Sequence, residues 1–220
     1  MVLRLTKSAI WAPRGEVNLF SPGIRFLSRT ALCLTLALTT VSAVAAKDTC
    51  SDAAFKKGEA VVSTEKKTEN KKFVKGRVLI NASPHVVWES VHEERKHDPD
   101  LEYSKLLEEK ANVKMLEQKF NLIPVIGSAT CLMKQDEVVN ERIDYTMVKS
   151  DRFKAFEGSW VLTPTEDGKG TILELTSYID MGLPIPRGMM ESFQGKKLGK
   201  RLTNVKKMAE TIQSKQLATK

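Results

Sequence analysis

The chain has 220 residues, 41% hydrophobic, 28% charged and 6% aromatic, with 8 Pro and 12 Gly. That length holds one ordinary domain plus extras, and the composition excludes collagen-like and low-complexity chains, while the longest apolar stretch is too short for a polytopic membrane protein. The formal charge is +8, but residues 1–46 hold five bases and one acid, leaving 30 bases against 26 acids, a net +4 that does not imply nucleic acid.

Residues 1–46 read as an address. Arg25 and Arg29 precede the 16-residue apolar run Ala31 to Ala46, which ends on Ala-Val-Ala-Ala before the polar Lys47-Asp48-Thr49. A basic region, a short apolar core and a small-residue exit make a secretory signal cleaved after Ala46, and the expected destination is the periplasm. The 30-residue lead is longer than usual. Either the true start lies downstream, or the lead is an organelle transit segment; an uncleaved anchor is the third reading. Cleavage leaves Cys50 and Cys131, a candidate disulfide in an oxidising compartment. The alternative is a buried Cys131 and a free Cys50.

Residues 47–72 are polar and lysine-rich, with one apolar patch at Ala60-Val61-Val62, and read as a flexible arm or at best a loosely docked strand. The folded domain is expected over 73–214, with a tail at 215–220. Phe73 to Ile80 has a strand pattern. Ser83 is a natural helix cap and Pro84 suits the first helical position, so a helix carrying Val87, Trp88 and Val91 runs to about Lys96, where His97-Asp98-Pro99 ends it. A short helical or irregular piece is expected around Leu101.

The period then switches to two. Strands are predicted at Tyr103–Glu109, Val113–Phe120, Gly127–Val138, Arg142–Ser150, Ala155–Pro164 and Gly170–Met181, joined by short turns such as Glu166-Asp167-Gly168. Short links between consecutive strands make an antiparallel meander. Entered through Pro184-Ile185-Pro186, a last helix is predicted from Arg187 to Ser214. Leu198, Leu202, Val205, Ala209 and Ile212 share one face of it. The order predicts an α+β fold: a curved antiparallel sheet of about seven strands wrapped around the long C-terminal helix, with one or two short helices after the first strand. Such a grip leaves room for a pocket between sheet and helix.

Residues 73–212 resemble the helix-grip superfamily of START-related lipid-transfer domains, polyketide cyclases and coenzyme Q-binding proteins. The likeness rests on Ala82-Ser83-Pro84-His85-Val86-Val87-Trp88, on Phe156-Glu157-Gly158-Ser159-Trp160-Val161-Leu162-Thr163-Pro164, on Asp167-Gly168-Lys169-Gly170-Thr171 and on Leu183-Pro184-Ile185-Pro186. It implies the fold. Carriers, cyclases and hydrolases share that scaffold, so it does not choose an activity.

Few residues suggest chemistry. His92 and His97 are five apart, with Lys96 where a zinc-binding helix needs its second histidine, so His92 to His97 reads as a solvated charge run and no metal is expected. Ser159 lies within a strand pattern rather than a nucleophile turn, no phosphate loop is present, and the Asn81-Ala82-Ser83 sequon is read as a helix start. Gly195 and Gly199, inside the last helix, suggest close approach to the sheet or room for a ligand. Glu117, Glu157, Glu174 and Asp180 read as surface carboxylates, and Glu174, Thr176 and Tyr178 as a solvent face. No catalytic constellation and no cofactor is expected.

Soft apolar residues are more informative. Met115, Cys131, Met133, Met147, Met181, Met189 and Met190 suit a wall that accepts hydrophobic molecules of imprecise shape. The expected pocket is Met115, Cys131, Met133, Tyr145, Met147, Phe156, Trp160, Leu175, Met189 and Phe193, with Tyr145 orienting a polar head. The apolar connection at 122–127 supplies a lid from Ile123, Val125 and Ile126. The last helix carries Lys196, Lys197, Lys200, Arg201, Lys206 and Lys207, which suit transient contact with an anionic membrane surface. The expected function is an exported, non-catalytic, monomeric carrier of a hydrophobic small molecule or lipid, without nucleic acid. A cyclase- or hydrolase-like enzyme and an interaction module with a vestigial pocket are the alternatives.

Overall fold

A computed structural model describes residues 51–67, 71–121 and 127–219. The signal-like segment, Cys50 and the lid residues Ile123, Val125 and Ile126 lie outside them. Among the described residues eight strands form one antiparallel sheet: β1 (Val61–Lys66), β2 (Lys72–Ile80), β3 (Leu101–Lys110), β4 (Val113–Asn121), β5 (Ser128–Val138), β6 (Arg142–Ser150), β7 (Ala155–Pro164) and β8 (Thr171–Asp180). Helix α1 (Pro84–Lys96) follows β2, and helix α2 (Arg187–Ala218) closes the chain. The sheet order is β1-β2-β8-β7-β6-β5-β4-β3, so β3 to β8 are a meander and β2 returns to pair with β8.

Local chemistry sets the boundaries. Ser83 Oγ accepts from the Val86 amide at 3.5 Å and Pro84 opens α1. Gly168, at φ +66°, turns the chain between β7 and β8, where the Lys169 amide donates to Asp167 Oδ1 at 3.1 Å. Among the described residues no second helix lies between α1 and β3. The Leu101 amide instead donates to Asp98 O at 3.0 Å in a turn that leads straight into β3.

The arm expected over 47–72 contains ordered structure. Residues 51–56 are helical, with Phe55 beneath the Arg77 guanidinium at 4.7 Å. Strand β1 pairs with β2 from Val61↔Arg77 to Lys66↔Lys72, giving eight strands in place of seven. As an edge strand exposed along most of its length, β1 needs no alternating pattern to hold its place. At the other end of the chain α2 continues through most of the expected tail, to Ala218.

The core has two centres. One joins β2, β8 and α1 to α2 through Val78, Ile80, Val87, Val91, Leu173, Leu202 and Val205. The other, at the far end of the sheet, gathers Ala129, Cys131, Met133 and Phe153. Close approach of α2 is permitted by Gly76 on β2, where an added Cβ would lie 2.2 Å from Leu198 Cδ2. Gly195 and Gly199 are not the tight points: a Cβ on either would meet Val62 at 3.4 and 3.5 Å, ordinary contact.

Candidate ligand-binding cavity

The two core centres are bridged by Tyr145, which packs against both. Between them, under α2, lies a cavity of about 150 Å³. Alternation points Met133 and Gln135 of β5, Tyr145 of β6, Phe156 and Trp160 of β7, and Leu175 and Ser177 of β8 towards it. Helix α2 supplies Met190, Phe193, Gln194, Lys197, Leu198 and Arg201, spaced so that one face covers the opening. Phe156 packs edge-on against Phe120 at 5.4 Å and Tyr145 at 5.7 Å, forming an aromatic wall. A second, more polar hollow of about 260 Å³ lies beside the first turns of α2 and shares Met190 and Gln194 with the first.

Tyr145 is held by an absence. Its register partner on β7 is Gly158, and a Cβ there would fall 2.3 Å from the phenol oxygen. The ring therefore lies across β7 and donates to Thr176 O on β8 at 3.1 Å. Burial pushes the phenol pKa up, keeping it protonated and a donor.

The inner end is charged. Arg201 donates to both oxygens of Glu94, at 2.7 Å for its shortest bond, and lies 3.4 Å from Asp98. Its guanidinium stacks over Trp160 at 5.2 Å. Burial pulls its pKa down, but the hydrogen bonds and charge of Glu94 more than offset this and hold it above the ordinary arginine value. Arg95 behaves oppositely: burial, then repulsion from Arg201, lower its pKa to about 10. At the rim Lys197 pairs with Asp100 and lies 4.5 Å from the Phe193 ring.

Of the expected pocket residues, the structure brings Met133, Tyr145, Phe156, Trp160, Leu175 and Phe193 together on the wall. Cys131 lies in the adjacent core centre, its thiol donating to Ser150 Oγ at 3.3 Å, and Met147 packs against the same centre. Its expected disulfide partner, Cys50, is outside the described residues. Met115 on β4 is partly buried and away from the wall, and Met189 is 59% exposed while Met190 faces inward.

The expected solvated run from His92 to His97 is corrected: Glu94 is 5% exposed, His92 packs on Trp88 at 4.9 Å, and Arg95 lines the cavity. Nor is the basic face of α2 uniformly free. Arg201 and Lys197 are paired as above, and Lys206 donates to Leu79 O at 2.8 Å, while Lys196, Lys200 and Lys207 are exposed. Thr176, expected on a solvent face, is buried. Of the strand carboxylates, Glu157 pairs with Lys71, Glu174 with Lys75 at 2.8 Å, and Glu117 accepts from Tyr103 at 3.2 Å.

A curved antiparallel sheet gripping a long C-terminal helix, with a cavity between them, defines a helix-grip domain. Residues 80–206 match the family described as polyketide cyclase / dehydrase and lipid transport, and the chain belongs to that family. Among solved structures, human STARD10 is similar at 9% identity, with a TM-score of 0.56 over 79% of this chain and 82% of that one. The Zhui aromatase/cyclase from Streptomyces sp. R1128 has 20% identity and a TM-score of 0.52, covering 63% and 93% of the two chains. A STAR-related lipid transfer protein from Xanthomonas axonopodis has 14% identity and a TM-score of 0.52, covering 67% and 98%. At these identities the likeness is one of fold. No curated protein matches the sequence.

Proposed function

We propose that the protein is an exported, non-catalytic carrier that holds a hydrophobic small molecule or lipid between the sheet and α2. The observation that carries this reading is the unfilled, largely apolar space between the two core centres. A hydrophobic molecule filling it removes apolar wall from water at about 25 cal/mol per Å². Binding is favoured over chemistry because the acid–base groups nearby are engaged: Tyr145 donates to Thr176 O, Glu94 and Asp98 hold Arg201, and Asp100 holds Lys197. Export rests on the pattern of residues 25–49.

Native mass spectrometry of protein from the exported fraction, followed by extraction and identification of bound molecules, tests the proposal. The expected result is a co-purifying apolar molecule that is lost in Met133→Lys and kept in Met189→Lys, with both variants folded. Retention in Met133→Lys, or loss in both, refutes the cavity as the binding place. A mature N-terminus far from Lys47, or no exported fraction, refutes export.

A further inference from the structure

The cavity wall carries two polar side chains that the protein itself leaves unanswered. Arg95, in the last turn of α1, lines the cavity, and among the described residues its guanidinium has neither a hydrogen bond nor an ion pair. None of the carboxylates around it comes within ion-pair distance: Glu94 and Asp98 hold Arg201, Asp100 holds Lys197, and Glu137 pairs with Lys114 at 2.8 Å through Oε2, its buried Oε1 having no hydrogen-bond partner among the described residues. Gln135 on β5 is 2% exposed, lines the same cavity, and its amide also lacks a partner among the described residues. It stands beside Tyr145 in the β5–β6 register. The Tyr145 hydroxyl donates to Thr176 O, and its oxygen accepts from neither Arg95 nor Gln135.

Buried donors without acceptors are rare because each costs free energy, and a buried cation without a counter-charge costs more. Burial and then repulsion from Arg201 lower the Arg95 pKa, and the charges of Glu137 and Glu94 only partly oppose this. What both groups lack is an acceptor, and for Arg95 a negative one. A carboxylate or a phosphate supplies two or more oxygens that take planar guanidinium and amide donors side by side.

We infer that the inner end of the cavity binds the acidic head of an amphiphile, a carboxylate or phosphate accepting from Arg95 and Gln135, while its apolar tail runs past Met133 and Phe156 towards Phe193. This rests on the proposed carrier reading and names its ligand class. Arg201, already neutralised by two carboxylates, shapes the site and is not the anion's partner. The neutral neighbours Tyr145 and Trp160 close the space around the head and exclude water from it.

The test is calorimetric titration of the full chain with decanoate, decyl phosphate and the uncharged decanol, in the wild type, Arg95→Met, Arg95→Lys and Gln135→Leu. The expected result is that one acidic ligand binds at least about tenfold more tightly than decanol. Arg95→Met is expected to abolish that preference and leave decanol unchanged, whereas Arg95→Lys keeps part of it and Gln135→Leu reduces it less. Whichever acid binds more tightly identifies the head as carboxylate or phosphate. Equal affinity for acids and alcohol, or parallel loss of all three in Arg95→Met, overturns the inference while leaving the carrier reading intact. Failure of all three to bind wild type overturns the carrier reading and this inference with it. Ligand-free Arg95→Met is expected to melt no lower than wild type, because an unanswered charge is removed; a lower melting temperature overturns the claim that Arg95 is unpaired.

Discussion

Gly76→Ala tests whether α2 is seated as closely on β2 as the geometry requires. The added methyl would lie 2.2 Å from Leu198 Cδ2 and 2.7 Å from Leu202 Cδ1, whereas carbon atoms in contact sit about 3.5–4.0 Å apart. Both leucines are buried, Leu202 completely. Two effects compete. Replacing glycine reduces the freedom of the unfolded chain and stabilises by about 0.4–1 kcal/mol where the native backbone tolerates alanine. Overpacking a filled core costs about 1–3 kcal/mol. The contacts are far inside normal distance, so overpacking wins, with a net loss of about 1–2 kcal/mol. For a domain of this size that lowers the melting temperature by about 2–8 °C.

Leu198 has an escape that Leu202 lacks, because it lines the cavity. If it swings inward, stability is partly recovered and cavity volume is lost, so ligand affinity falls instead. Urea unfolding followed by tryptophan fluorescence, with Trp88 and Trp160 both in the core, measures the first effect, and titration with a bound ligand the second. Gly76→Ala combined with Leu198→Ala should cost less than the sum of the single changes, because the second change removes the clash made by the first. A Gly76→Ala protein of unchanged or higher stability and unchanged ligand affinity would refute the close packing of α2.

Three further outcomes follow from the same structure. Glu94→Gln removes the buried counter-charge of Arg201 and is expected to cost about 3 kcal/mol, measured by urea unfolding; a change within error would show the pair to be dispensable. His92 has its pKa lowered mainly by burial, so the unfolded chain takes up its proton first: stability should be intact above the ordinary value of 6.5 and fall as pH drops through it towards the folded value. Comparing wild type with His92→Gln over that window checks the sign, since only the wild type should show this component. Hydrogen exchange should be faster at amides 190–197 than at 198–209, because the buried residues of α2 (Leu198, Leu202, Val205 and Ala209) all belong to the later stretch; equal protection would contradict it.

The meander, α1 and α2 were legible because their signals are local. Ser83-Pro84 and the spacing of Val87, Trp88 and Val91 define α1, and β6 and β7 run over the residues that alternation predicts. Strand β1 was only half legible: the patch at Ala60-Val61-Val62 left a loosely docked strand open beside a flexible arm, because an edge strand held mainly by backbone pairing carries no strict alternation in Val61–Lys66. For the site, alternation gives the face but not the depth. Cys131 and Met133 do share a face, yet only Met133 lines the cavity, while Cys131 stays within the cluster it forms with Ala129 and Phe153. Met190 rather than Met189 follows from continuing the stripe of Leu198 backwards through Gln194. Arg95 and Arg201 were hidden by composition: in a charge run, nothing in sequence distinguishes a buried guanidinium from a solvated one until the partner elements are placed.

Helix α2 performs two jobs along its length, and the division explains why a fold with so much pairing keeps a gap. Its later turns rest on β2 and α1, where Leu202 and Val205 are fully buried and Gly76 admits the backbone. That contact supplies the hydrophobic anchorage and fixes the helix direction. Its first turns begin without a side-chain cap and bury no residue, yet they carry Met190, Phe193 and Lys197 over the cavity. Closing that gap would require α2 to bend towards Met133 and Phe156 while its far half stays on β2. The two-centred core therefore holds the helix as a beam, fixed at one end and spanning the cavity at the other. Since the fixed end does not depend on what the cavity contains, the wall can remain apolar and unfilled, with Arg95 and Gln135 unanswered at its inner end, without the fold giving way.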